Sequence, residues 1–327
     1  MIKSKLAHAV ALAVSGMAIS SGASAAVTTM YNLSTGVSGS TVQNTVTNPI
    51  VAGVWTSTFT GKTDGWTNGG TTGLGVGTAA AQKWAGTTTG LANDISTANP
   101  FNYAGAHMNW GFELAGGHGG TGTISTYDSK ARYGVYADID VAKGAWAATN
   151  TGGTFGGWRH DLDSGLFKTD RTGLVTLSVV GLIDTGAKFG FTVFKGMDTV
   201  SDYGHHGGWN ANNNSQTGAP LTDASNPYFG AGAGGLSYND IVAYSTGAIV
   251  AIPGSTTTNL NTITFNAQAG QLYTIFLGGF RDGGWGATNQ GYALTISQVP
   301  VPGAVWLFGS AMVGMVGFGR RKSAVAA

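Results

Sequence analysis

The chain has 327 residues, of which 42% are hydrophobic and only 9% are charged, and its formal net charge is +1. Cysteine is absent, which excludes a disulfide framework and a cysteine nucleophile. There are 55 glycines, and Glu113 is the single glutamate among 15 acidic residues. Because glutamate favours helices whereas glycine and aspartate favour turns, this composition indicates strands and loops.

The first 25 residues have the pattern of a secretory signal peptide. Two lysines precede an apolar stretch at residues 6–19, which is too short to be read as a membrane span. Ala23 and Ala25 then supply the small side chains that signal peptidase prefers before its cleavage point. The pattern predicts export through the secretory translocon and a mature chain that begins at Ala26.

Residues 26–100 are rich in glycine, threonine and asparagine, yet large aromatic side chains such as Trp55, Phe59, Trp66 and Trp84 recur among them. Recurring aromatics are unusual in flexible segments. We therefore expect irregular strands and loops that pack on the rest of the body.

Residues 101–298 show the alternation of apolar and polar residues that is typical of strands. Val175, Leu177 and Val179 alternate with Thr176 and Ser178. Similar alternation is read at residues 133–140 and 292–297, and shorter aromatic and β-branched runs occur at residues 189–194, 263–265 and 272–277. Glycine or Asn/Asp clusters separate these runs, and no apolar stripe of helical period exceeds about two turns. The pattern predicts an all-β fold, namely an antiparallel β-sandwich of jelly-roll type.

Residues 270–297 also resemble the last hairpin of bacterial pre-peptidase C-terminal-type jelly rolls, which are extracellular accessory modules. The resemblance rests on Gly270-Gln271-Leu272-Tyr273 and on the strand residues from Gly291 to Ser297.

The C-terminal residues form three consecutive segments. A proline-containing hook at residues 299–302 precedes an apolar run at residues 303–319, which as a helix spans about 25 Å. Three basic residues and a five-residue tail, 323–327, follow. Basic residues stay on the cytoplasmic side, so we expect one transmembrane helix with the preceding body outside the cytoplasm. These processing and sorting positions are Val299, Pro300, Val301, Pro302, Arg320, Arg321 and Lys322.

This arrangement over residues 299–322 resembles the PEP-CTERM sorting signal. The resemblance covers Val299-Pro300-Val301-Pro302, the run beginning at Trp306-Leu307-Phe308 and the final Arg-Arg-Lys, with Val301 standing where the family has glutamate. It implies recognition by exosortase, a membrane-embedded enzyme of Gram-negative bacteria that make extracellular polysaccharide. On physical grounds alone, an ordinary tail anchor explains the same segment.

The charge of the mature body excludes one class of partner. The two terminal segments hold five of the 16 basic residues and no acidic residue, so the body has 11 basic and 15 acidic groups and a net charge of 11 − 15 = −4. Nucleic-acid-binding proteins usually carry a basic patch. We therefore expect no nucleic-acid partner.

One motif offers oxygen ligands for calcium. Asp161 and Asp163, followed by Ser164 and Gly165, place two carboxylates close together. The alternative is a polar turn between strands, in which the aspartates bond their own backbone. No other cofactor is expected.

Two further sets of residues remain open as binding groups. Adjacent histidines in a glycine-rich segment could share a transition metal with others, the set being His107, His118, His160, His205 and His206. Tryptophans near glycine and polar residues could stack on sugar rings or could instead be buried in a sandwich, the set being Trp146, Trp158, Trp209 and Trp285.

No catalytic motif occurs, since the chain lacks a nucleophile elbow, a zinc-protease motif and a phosphate loop. We therefore expect no enzymatic activity and a structural or adhesive role in a biofilm or other extracellular matrix. The expected location is the cell surface or the exterior, after transient anchoring in the inner membrane. The expected partners are signal peptidase, the translocon, exosortase and extracellular polysaccharide. A secreted carbohydrate-binding module and a secreted aspartate-dependent hydrolase are the alternatives.

Overall fold

The structure is a computed structural model that describes thirteen stretches of the chain, all of them within one compact unit, Ser24–Gln298. The described residues are 26–33, 50–51, 54–55, 84–105, 108–117, 119–137, 139–142, 162–182, 185–199, 236 with 238–245, 261–280 and 289–298. The predicted signal peptide and the predicted sorting signal with its tail lie outside these residues.

Most of the described residues belong to β-strands, which confirms the all-β prediction. The first eight strands are β1 (Ala26–Asn32), β2 (Ile50–Val51), β3 (Val54–Trp55), β4 (Trp84–Ala85), β5 (Ile95–Ser96), β6 (Trp110–Ala115), β7 (Gly120–Ile124) and β8 (Asp140–Ala142). The others are β9 (Leu162–Thr169), β10 (Gly173–Gly181), β11 (Lys188–Lys195), β12 (Ile241–Ser245), β13 (Thr262–Ala267), β14 (Leu272–Phe280) and β15 (Asn289–Gln298). The helical elements are α1 (Thr126–Tyr133) and two 3-10 turns, Pro100–Asn102 and Tyr238–Asp240.

The strands form two main sheets and one small hairpin of β2 and β3. The larger sheet has eight strands in the order β12-β11-β14-β9-β6-β1-β4-β5, and the smaller has the order β13-β10-β15-β7, with β8 also paired to β15. The prediction of purely antiparallel pairing is wrong at one place, because β6 and β9 run parallel, with Trp110 opposite Gly165. The chain between these strands contains β7 and α1, so it can cross over rather than turn back directly.

One hydrophobic core contains residues from both sheets. The predicted alternation is confirmed in β10, where Val175, Leu177 and Val179 are buried, and in β15, where Leu294 and Ile296 are fully buried. Because successive side chains of a strand point to opposite faces, the residues between them lie on the outer face of the smaller sheet.

The alternation predicted at residues 133–140 does not form one strand, since residues 133–137 lie outside any strand and Asp140 is the first residue of β8. Tyr133 ends α1, and Gly134 follows in the left-handed conformation at φ 76°, donating its N–H to the carbonyl of Lys130. Ser125 caps the start of α1 by accepting from the N–H of Asp128. These local capping signals, rather than the apolar pattern, determine the conformation here.

Part of the glycine-rich region is integral to the larger sheet. β1 pairs with β6 along its length, with Tyr31 opposite Trp110, and β4 pairs with its other edge. Tyr31 and Trp84 are both fully buried. Within the described ranges, no helix is long and apolar enough to cross a membrane.

Candidate functional site

Of the two predicted calcium ligands and the predicted processing positions, Asp163 alone lies among the described residues. It is fully buried in β9, and its Oδ2 accepts a hydrogen bond of 2.5 Å from the hydroxyl of Tyr292. The same hydroxyl accepts from the indole N–H of Trp110 at 3.1 Å. Asp163 therefore belongs to a polar chain inside the core.

The turn considered for residues 163–165 is instead part of strand β9. Gly165 has a packing role there, since a Cβ atom at this position would lie 2.3 Å from the ring of Trp110. The sequence Asp-Ser-Gly resembles a turn, but the indole requires a residue without a side chain at this point of the strand.

The predicted metal ligands are not brought together in the part of the chain that the structure describes. No group of three or more His, Asp or Glu residues that could hold a metal occurs among those residues. Asp161, the five candidate histidines and the four candidate tryptophans lie outside them.

The outer face of the smaller sheet carries an ordered array of hydroxyl groups, which we call the hydroxyl face. One row joins Thr123 to Thr295, Thr295 to Ser178, and Ser178 to Thr262 across four strands. A second row joins Thr121 to Ser297, Ser297 to Thr176, and Thr176 to Thr264. The hydroxyl face thus comprises Thr121, Thr123, Thr176, Ser178, Thr262, Thr264, Thr295 and Ser297.

Sheet geometry fixes the spacing of this array. Side chains in one row are about 4.8 Å apart, and the two rows are about 6.7 Å apart, so each row spans about 14 Å. Neighbouring hydroxyls contact each other at Ser178 and Thr262, whose oxygen atoms are 3.2 Å apart. Threonine side chains have few rotamers, and the buried side chains of the same strands support the array from below.

The hydroxyl face lies on strands without charged residues and is flanked on β10 by two exposed apolar side chains. The four strands β7, β10, β13 and β15 contain no Asp, Glu, Lys or Arg. On β10, Leu174 lies beyond Thr176 and is 49% exposed, while Val180 lies beyond Ser178 and is 42% exposed. On β10, the face therefore presents its hydroxyl groups between two exposed apolar side chains.

The sequence shows that hydroxyl residues alternate along each of the four strands, but it does not show that they line up across the strands. Thr-x-Thr or Thr-x-Ser occurs in all four strands, at Thr121, Thr176, Thr262 and Thr295. Whether such pairs form one array depends on strand order and register, which connect residues more than 100 positions apart. The recurrence of a Thr-x-Thr or Thr-x-Ser pair in four separate strands is the sequence signal that indicates this face.

The last residue of β15 is buried and held by two hydrogen bonds. Gln298 is 1% exposed, and its Oε1 accepts from the hydroxyl of Thr169 at 2.7 Å. Its Nε2 donates to the carbonyl of Arg171 at 2.9 Å. The predicted hook, residues 299–302, therefore follows directly on an anchored side chain.

A second polar cluster joins β1 to α1. Asp128 accepts from the hydroxyls of Thr29 and Tyr31 at 2.8 and 2.7 Å, and from Nε of Arg132 at 2.8 Å. Burial raises the pKa of Tyr31 well above its ordinary value, and the adjacent Asp128 carboxylate raises it further. The cluster stabilises the packing of the helix, and its one salt bridge and filled acceptors suit a structural role.

No protein-family model matches the chain, and no curated protein matches it. Among solved structures, it is similar to CorA, described as a surface-associated copper-binding protein important in copper acquisition by Methylomicrobium album BG8. The TM-score is 0.30 at 16% identity, over 50% of this chain and 92% of that one. A similarity at this level is too low to assign a function.

Proposed function

We propose that this is an exported protein that exosortase processes and that acts, without catalysis, as a structural or adhesive component of the cell surface or extracellular matrix. The observation that carries the proposal is the order of hook, apolar run and basic residues at positions 299–322. The body would fold outside the cytoplasm, be anchored briefly in the inner membrane, and then be released or transferred.

The limits of the folded unit support this proposal. β1 begins at Ala26, the first residue expected after signal peptidase cleavage, and Ala26 is itself exposed. β15 ends at Gln298, directly before the hook. Cleavage at both predicted sites would therefore leave every described strand intact.

The two sheets, with core residues in common, support a β-sandwich as the form of this passenger. Such a domain suits an extracellular role, since its large core replaces the disulfides that many smaller exported domains need.

The test is the intact mass of the protein recovered from the native host, compared with a strain that lacks exosortase. We expect a product that begins at Ala26 and ends near Pro302 in the normal strain, and an uncleaved C-terminus in the other. A mass that retains Arg320, Arg321 and Lys322 in both strains would replace this proposal with an ordinary membrane anchor.

A further inference from the structure

We propose that the hydroxyl face is a docking surface for an uncharged polysaccharide. The inference deepens the proposed function and rests on it, since it names the class of matrix polymer that the body would contact. It is carried by two independent features, the aligned hydroxyl rows and the exposed apolar residues of β10 that lie on either side of them.

The chemistry of the face fits a polyhydroxyl ligand. A hydroxyl group both donates and accepts hydrogen bonds, so a row of four can pair with the hydroxyls of successive sugar units without a fixed polarity. Sugar rings also have apolar C–H surfaces, which Leu174 and Val180 can contact, being 49% and 42% exposed. Two of the five large hydrophobic side chains that are exposed in the described chain thus border this one array.

Charge selects between polymer classes. The four strands of the face carry no charged residue, and the mature body has a net charge of 11 − 15 = −4. An acidic polymer would find no cation on the face and would be repelled by the body as a whole. An uncharged polymer meets neither obstacle.

Preorganisation favours binding to this face. Its side chains are short and project from paired strands, and the six threonines among them are further restricted by β-branching, so little conformational entropy remains to be lost. Thr176 and Thr295 lie on β10 and β15, the two central strands of the array, and have paired strands on both sides. These two positions are therefore the best places to remove hydroxyls.

The experiment measures retention of the full chain, purified in detergent, on insoluble cellulose and curdlan as neutral glucans, with immobilised alginate as the acidic polymer. The variant Thr176→Val with Thr295→Val removes two hydroxyls while keeping the shape and the strand preference of both residues. Thr28→Val is the control, because Thr28 lies in β1 of the other sheet and is likewise partly exposed. Thermal unfolding and circular dichroism establish that all three proteins are folded.

We expect the parent and Thr28→Val to bind at least one neutral glucan, alginate to bind neither, and the double variant to bind about tenfold more weakly. Equal binding by the double variant, binding to alginate alone, or no binding to either glucan would overturn the inference. Sedimentation tests whether the face instead contacts a second copy of this chain. That would be the conclusion if the double variant changed the oligomeric state and left glucan binding unchanged. Exosortase-dependent cleavage is read from mass, so either proposal can fail while the other stands.

Discussion

The hydroxyl of Tyr292 joins the two sheets, because it donates to the carboxylate of Asp163 at 2.5 Å and accepts from the indole of Trp110 at 3.1 Å. Tyr292 lies in β15 of the smaller sheet, whereas Asp163 and Trp110 lie in neighbouring strands of the larger one. All three side chains are fully buried. A single phenol thus provides partners for a buried donor and a buried acceptor inside the core.

Removing this hydroxyl should destabilise the fold without changing its shape. Tyr292→Phe deprives Trp110 of its acceptor and Asp163 of this donor, and we expect a loss of about 2–3 kcal/mol in the free energy of unfolding. Denaturant unfolding of the full chain measures this loss. Tyr127→Phe, at a tyrosine that is 41% exposed, is the control and should change the value by less than about 0.5 kcal/mol. Equal effects of the two substitutions would contradict the assigned role of Tyr292.

Gly165 and Gly173 offer a matched pair for testing packing between strands. A Cβ at Gly165 would lie 2.3 Å from the ring of Trp110, whereas at Gly173 the nearest atom is Nε2 of Gln298 at 3.4 Å. Gly165→Ala should therefore cost about 1–3 kcal/mol of stability, since a buried indole cannot move freely. Gly173→Ala should be close to neutral. Similar unfolding midpoints for both variants would show that the indole can be displaced.

The strands could be predicted where one face is apolar and the other polar, as in β10 and β15. The prediction failed at residues 133–137, where Gly134 in the left-handed conformation ends a helix that is capped at its start by Ser125. It also missed that β6 and β9 are parallel, because pairing direction depends on the path of the chain between them. Local patterns therefore predicted individual strands. The hydroxyl face could not be predicted from them, because it depends on the pairing and register of strands that are far apart in the sequence.

The calcium hypothesis can now be tested separately from stability. Because Asp163 is fully buried and accepts from Tyr292, we expect Asp163→Asn to lower the unfolding temperature by the same amount with and without chelator. Asp161→Asn provides the matched control at the other position of the motif. A calcium site would instead make chelator lower the unfolding temperature of the parent but not that of a variant lacking both carboxylates.

Acid should weaken the loop at residues 88–94, in which the Asp94 carboxylate accepts hydrogen bonds from Thr88, Thr89 and Gly90. Burial alone would raise the pKa of Asp94, but hydrogen bonds from the Thr88 hydroxyl and from the N–H groups of Thr89, Gly90 and Thr88 outweigh it and lower the pKa from 3.8 to about 2. A lowered folded-state pKa means that this stabilisation is present above pH 3.8 and is lost as the pH falls towards about 2.

Asp94→Asn should therefore be less stable than the parent at neutral pH and should lose less stability on acidification. Thr88→Val, which removes the hydroxyl donor but keeps the backbone donors, should fall between the two. Unfolding temperatures measured at a series of pH values test this order. Parallel acid profiles for the parent and Asp94→Asn would contradict it.

Alkaline pH should act through Tyr31. Burial raises the pKa of Tyr31 well above its ordinary value of 10.0, with further contributions from the charge of Asp128 and the hydrogen bond donated to it. A raised folded-state pKa means that the stabilisation is present below pH 10.0 and is lost as the pH rises above it, because the unfolded chain then releases a proton that the folded chain keeps.

Tyr31→Phe loses the hydrogen bond to Asp128, so it should be less stable at neutral pH, yet its stability should fall less steeply from about pH 9 to about pH 11. Tyr127→Phe should change this slope less, since Tyr127 is 41% exposed. Denaturant unfolding across this range measures both slopes, and an unchanged slope in Tyr31→Phe would exclude Tyr31 as the group responsible.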